Sequence, residues 1–136
     1  MRYYRFILLA VLLTSFLPAL AQVTQTHRYE KIKKGSDEFF SIISLKEEGL
    51  AILREKNKYS GPKQIWELIL LDTTLQERKT VEMEINQRHP LVGYEYVKGN
   101  LYLLYRTGET NKNSLELIHV DIDQGMEGKR YEIKPE

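Results

Sequence analysis

The sequence predicts an all-β protein: two consecutive four-stranded antiparallel meanders behind an N-terminal signal helix. Three observations predict it. Past residue 21 the apolar residues arrive in short runs with two-residue alternation, many of them β-branched or aromatic, which is the pattern of strands. Turn residues separate those runs. The run Trp66-Glu67-Leu68-Ile69-Leu70-Leu71-Asp72 also returns as Leu115-Glu116-Leu117-Ile118-His119-Val120-Asp121, an offset of 49, so the chain repeats itself.

The elements follow in chain order. Arg2 and Arg5 precede an apolar run from Phe6 to Phe16, broken only by Thr14 and Ser15, and then come Pro18 and Ala19-Leu20-Ala21. A basic start, a short apolar core and a small-x-small site make a secretory signal peptide, cleaved after Ala21. The stretch from Phe6 to Leu20 is shorter than the roughly 20 residues needed to span a bilayer and contains Pro18, which argues against an uncleaved anchor. No cysteine follows it, which closes the lipoprotein route. Residues 22–38 form an N-terminal segment in which His27–Ile32 is a candidate ninth strand.

Residues 39–86 and 87–136 are the two repeats. The first holds candidate strands Phe39–Leu45, Leu50–Glu55, Gln64–Asp72 and Thr80–Ile85. The second holds Leu91–Val97, Leu101–Arg106, Ser114–Asp121 and Lys129–Ile133. Gly49, Ser60-Gly61-Pro62, Lys98-Gly99-Asn100, Gly108, Asn111, Gly125 and Gly128 supply the turns. Val81, Met83 and Ile85 alternate with Glu82 and Glu84, as an outer strand half exposed to water does. Gln64–Asp72 differs, because Trp66, Leu68 and Leu70 share one face while Ile65, Ile69 and Leu71 share the other with Glu67. A strand apolar on both faces belongs inside a sheet covered on both sides. The best helical stretch after the signal, Glu47–Lys58, is interrupted by Gly49 and lacks a convincing cap.

The repeat extends beyond its third strand. Gly49-Leu50-Ala51-Ile52-Leu53-Arg54 is matched, with one added residue, by Gly99-Asn100-Leu101-Tyr102-Leu103-Leu104-Tyr105-Arg106. Glu84-Ile85 is matched by Glu132-Ile133. Strand, glycine turn, strand, polar loop, long strand ending in Asp, turn and strand, recurring within 40–50 residues, resembles the blades of β-propeller repeat proteins. The resemblance covers residues 39–133 and implies architecture alone, since it carries no catalytic residue. Two blades do not close a ring of four to eight. The chain is then the front of a longer propeller, a unit that assembles with other chains, or two sheets packed face to face.

Composition narrows the function. Removing residues 1–21 takes Arg2 and Arg5 from a formal net charge of +1 and leaves −1 with histidine neutral. That balance offers no basic face for nucleic acid and none for an anionic membrane. Membrane contact is expected only through the signal peptide during export. The cysteine count is zero. Core packing alone must then stabilise the fold, and thiol catalysis and cysteine metal sites are excluded. A cysteine-free exported chain fits a bacterial periplasm or cell exterior.

No residue set points to catalysis, a metal or a cofactor. His27, His89 and His119 lack metal-ligand spacing, and no nucleophile elbow, phosphate loop or dinucleotide fingerprint is present. Asp121-Ile122-Asp123-Gln124-Gly125 resembles the front of a calcium loop, with Glu132 at its twelfth position. Its glycine is one place early and a third ligand is missing, so it reads as a polar hairpin turn. Trp66, Tyr94, Tyr96, Tyr102 and Tyr105 are the candidate ligand-facing aromatics, because flat rings stack on sugars and peptides. The same residue types also fill β cores and blade interfaces, which is the favoured reading. The expected function is therefore an exported, non-catalytic binding or scaffold domain with a protein or peptide partner. The alternatives are a carbohydrate-binding module and a truncated part of a larger envelope enzyme. Open sheet edges and an uncovered blade face further predict self-association.

Overall fold

A computed structural model describes residues 26–32, 39–87, 89–107 and 114–134. The signal peptide, Lys33, Lys34, Gly108 and Asn111 lie outside the described residues. The strands are β1 (Phe40–Ser44), β2 (Leu50–Ser60), β3 (Lys63–Leu71), β4 (Glu77–Asn86), β5 (Leu91–Val97), β6 (Asn100–Thr107), β7 (Ser114–Asp121) and β8 (Met126–Ile133). They form two four-stranded antiparallel meanders, β1-β2-β3-β4 and β5-β6-β7-β8. The all-β prediction and its two-sheet organisation hold. Residues 26–32 form no strand, so the expected ninth strand is absent there. Residues 47–58 are not a helix: a single 3-10 turn, Lys46–Glu48, leads into β2.

Two turns show why the chain doubles back where it does. Between β5 and β6, Lys98 (φ +45) and Gly99 (φ +75) make a two-residue loop closed by the Val97–Asn100 pair. Positive φ at both positions matches the right-handed twist of the flanking strands. Between β1 and β2, Gly49 takes φ +116, and a Cβ there would lie 2.1 Å from the Leu71 carbonyl oxygen. Only glycine lets β2 start so close to the end of β3.

The core lies between the sheets. Leu53, Trp66, Leu68, Leu70, Met83 and Ile85 from the first sheet meet Tyr96, Leu101, Leu103, Tyr105, Ile118 and Val120 from the second in one buried cluster. The Trp66 and Tyr105 rings touch edge to face across the interface, with centroids 5.8 Å apart at 82°, the geometry the ring quadrupoles favour.

The phase of the backbone hydrogen bonds fixes how the sheets are stacked. In an antiparallel ladder a residue turns its N–H and C=O toward one neighbouring strand, and the next residue turns them to the other. Glu55 N–H donates to the Phe39 carbonyl, so Glu55 and Leu53 turn toward β1. In the second sheet Arg106 N–H donates to the Pro90 carbonyl, so Arg106 and Leu104 turn toward β5. The counterpart of Leu53 is therefore Leu104, and not Leu103. Leu53 stands opposite Leu68, and Leu104 opposite Leu117. Trp66 stands opposite Met83, and Leu115 opposite Ile133. Trp66 and Leu68 thus share positions with Leu115 and Leu117, as the sequence repeat predicts. Ile133 corresponds to Met83 and not to Ile85, because β8 enters the ladder at a different register.

Chirality ties the face a side chain occupies to the direction its backbone turns. The face by which the first sheet meets the second is hence the face that the second sheet turns away from the first. The sheets are stacked in the same sense, not mirrored across a twofold axis. The sequence repeat predicts that Trp66, Leu68, Leu115 and Leu117 are all buried, and same-sense stacking is why that expectation fails at the last two. Trp66 and Leu68 are buried, whereas Leu115 and Leu117 are half-buried because no described residue covers their side.

On the other side of the first sheet, β3 buries Ile65, Ile69 and Leu71. Residues 26–32 lie against that side. Tyr29 donates to Glu77 at 2.9 Å, Lys31 lies 3.9 Å from Glu67, and Arg54 donates to the Ile32 carbonyl at 3.5 Å. Glu67 is 6% exposed and sits 3.1 Å from Lys56 and 3.8 Å from Arg54. A buried carboxylate needs such partners.

Candidate functional site

The five candidate aromatics do not form one ligand face. Trp66, Tyr96 and Tyr105 are buried in the inter-sheet core. Tyr96 accepts the Gly99 N–H at 3.0 Å, and burial pushes its pKa up. Tyr94 points to the same side from the β5 edge and is 44% exposed. Tyr102 lies on the opposite, outward face, stacked on His119 with centroids 5.2 Å apart. His119 is held by Asn100 at 2.7 Å. Its ring packs against Gly128, where a Cβ would come within 2.4 Å of Nδ1. His119 is thereby a structural residue of the sheet.

Two surface features remain. The first is a polar cleft where the chain crosses from β4 to β5. One hollow of about 310 Å³ is walled by Phe39, Trp66 and Leu91, with Glu55, Gln64 and Asn86 as its polar groups. A second, of about 420 Å³, adjoins it at Asn86 and His89 and reaches Glu116, Arg130 and Tyr131. Arg130 holds Glu116 at 3.2 Å and clasps Glu127 through Nε and Nη2. The Glu127 hydrogen bonds raise the guanidinium pKa further. His89 Nδ1 lies 3.8 Å from Glu116 and makes no hydrogen bond. The fully buried Tyr105 hydroxyl also lacks a partner, and burial drives its pKa far up. The cleft can accept hydrogen bonds and stack a ring. At its rim the Thr107 and Ser114 hydroxyls bond to each other. Among the described residues no three histidine or acidic groups cluster to hold a metal. Asp121 Oδ1 accepts the Gln124 N–H at 2.8 Å, the bond of a turn.

The His89-Pro90 junction reads in the sequence as a surface position, and no motif there points to Glu116 or Arg130. The signal was present in the repeat: Glu67 and Glu116 each interrupt an apolar strand at the same position. A charge there requires a counter-charge, and each glutamate has found one.

The second feature is the outward face of β5–β8. Tyr102, Leu104, Leu115 and Leu117 are half-buried on it. Tyr131 and Ile133 are 48% and 47% exposed, whereas their counterparts Val81 and Met83 in the first sheet are 5% and 1% exposed. The fold and these surfaces define a small all-β module with a covered sheet interface and an apolar outward face on β5–β8. Compared with known protein families, curated proteins and solved structures, the chain matches none.

Proposed function

We propose that the protein is an exported, non-catalytic binding or scaffold module of propeller-like repeats, which takes a protein or peptide partner on the outward face of β5–β8. The observation that carries this reading is the contrast between equivalent faces. Val81 and Met83 are buried by a neighbouring sheet, while Tyr131 and Ile133 lie open. Contiguous exposed apolar surface marks an interaction site. Same-sense stacking supports the resemblance to propeller blades, in which one face of each sheet packs on the opposite face of the next.

A photo-crosslinking residue at position 131, in the producing cell, tests the reading. Tyr131 should crosslink to polypeptide, while the same probe at Tyr59 on the β2–β3 hairpin should not. Equal crosslinking at both positions overturns it. Export is tested separately: the secreted protein should begin at Gln22, and cytoplasmic material retaining Met1 sinks that part.

A carbohydrate-binding reading is favoured by the aromatic wall of Phe39 and Trp66 beside Glu55, Gln64 and Asn86. Sugars stack on such rings and bond to such side chains. Trp66 belongs to the core, so the informative variant is Phe39→Ala. Glycan-array binding lost in that variant, with the fold intact, would move the function to the cleft.

A further inference from the structure

We infer that the outward face of β5–β8 docks the same face of a second copy of this chain, in a twofold dimer whose facing sheets run in opposite strand directions. This rests on reading that face as a binding surface. The covered interface of the fold carries the argument. In the first sheet the equivalent face, with Leu53, Leu68, Val81 and Met83, is buried against a four-stranded antiparallel sheet. The occupant that suits Leu104, Leu117, Tyr131 and Ile133 is another such sheet.

A second copy offers two sheet faces. The outer side of its first sheet is occupied over β3, with Ile65, Ile69 and Leu71 buried and Glu67 engaged by Lys31, and among the described residues it leaves apolar side chains exposed only at the edge strand, Phe40 and Ile42 of β1. Its outward β5–β8 face is open, which makes the contact isologous, the commonest arrangement among homo-oligomers. Charge then sets the direction. On this face Glu95 stands opposite Tyr102. Arg106 lies four residues further along β6, about 13 Å away at strand rise. Both are exposed. Turning one copy end for end brings each Arg106 to the end of the face that carries the partner's Glu95. A same-direction twofold would put like charges together. Aligned sheet-on-sheet packing accommodates this stack.

Sedimentation velocity on the exported protein tests the inference. A dimer is expected at micromolar concentration. At low salt Arg106→Glu and Glu95→Arg should each weaken it by about tenfold or more, and both changes in one chain should restore it. Leu117→Glu should give a monomer whose buried Trp66 emission shows the core intact. A wild-type monomer at every concentration, a larger ring, or a dimer indifferent to both single charge changes would overturn the inference. A monomer that still crosslinks through position 131 to a different polypeptide removes the dimer and leaves the binding reading standing. A monomer with no crosslink at that position removes both.

Discussion

Leu68 and Leu117 occupy the same position in two repeats, so they measure what a covering sheet contributes. Leu68 is fully buried, and Leu68→Ala should cost about 2–5 kcal/mol. Leu117 is half-buried, and Leu117→Ala in the single chain should cost about 1 kcal/mol, from the smaller area involved. Urea denaturation of the two variants checks the difference, and equal losses would mean the outward face is covered. Gly49 makes a second case. Its φ of +116 and the 2.1 Å approach to the Leu71 carbonyl leave no room for a methyl group. Gly49→Ala should therefore destabilise by about 3 kcal/mol, read from the same denaturation curves. At this scale the sequence was informative about identity and not about side. It picked out Trp66, Tyr96 and Tyr105 as aromatics worth placing. Their burial depended on which way β5, β6 and β3 turned, and period-two alternation does not say which of two faces meets another sheet.

Among the elements, the β3–β4 hairpin and β4 itself carry the acid side of the pH dependence. The Asp72 carboxylate accepts the Thr74 hydroxyl at 2.7 Å and the Gln76 N–H at 3.0 Å, which holds its pKa below the usual range. Glu77 is lowered chiefly by the Thr80 hydroxyl and Glu82 by Lys56. In the unfolded chain such groups titrate near about 4. Below that the unfolded state binds protons the folded state refuses, so stability falls as the pH drops through the depressed folded values. Tyr29 has the opposite sign. Burial first, and the Glu77 hydrogen bond second, push its pKa up to about 12. Its contribution is complete below the unfolded value of about 10 and is lost between about 10 and about 12. The melting temperature should be flat from about pH 5 to 9 and decline on either side. A midpoint that rises on acidification from pH 4 to 3 would contradict the assignment. The strands themselves were legible, because their apolar alternation and glycine turns are local signals. β2 and β8 run longer than predicted because the backbone ladder continues past the apolar pattern: Tyr59 and Ser60 pair with Gln64 and Lys63 beyond an irregularity that follows Glu55, and Met126 and Glu127 pair with Asp121 and Val120.

For the whole molecule the shared core sets the cooperativity. Residues of both sheets contribute to one cluster, so neither sheet should unfold by itself. Thermal melts followed by far-ultraviolet circular dichroism and by the emission of Trp66, the single tryptophan, should coincide, as two-state unfolding requires. An earlier transition in Trp66 would mean that the sheets part before they melt. The polar cleft was illegible in the sequence for a related reason. His89, Glu116 and Arg130 lie on the β4–β5 crossing, β7 and β8, and only the stacking of the two sheets sets them beside Trp66 and Phe39.

Same-sense stacking has a consequence for how such a chain changes over generations. In a mirrored sandwich the two inner faces are matched to each other, and a duplicated sheet finds no surface that fits. Here the surface that receives the second sheet is presented again on the far side of that sheet, so gene duplication of one unit yields a sheet with a joint ready for it. Substitutions that improve the joint between Trp66 and Tyr105 would improve each later joint copied from it. Growth by copying whole units is then the easy route for this architecture, with stability expected to rise as nearest-neighbour joints are added.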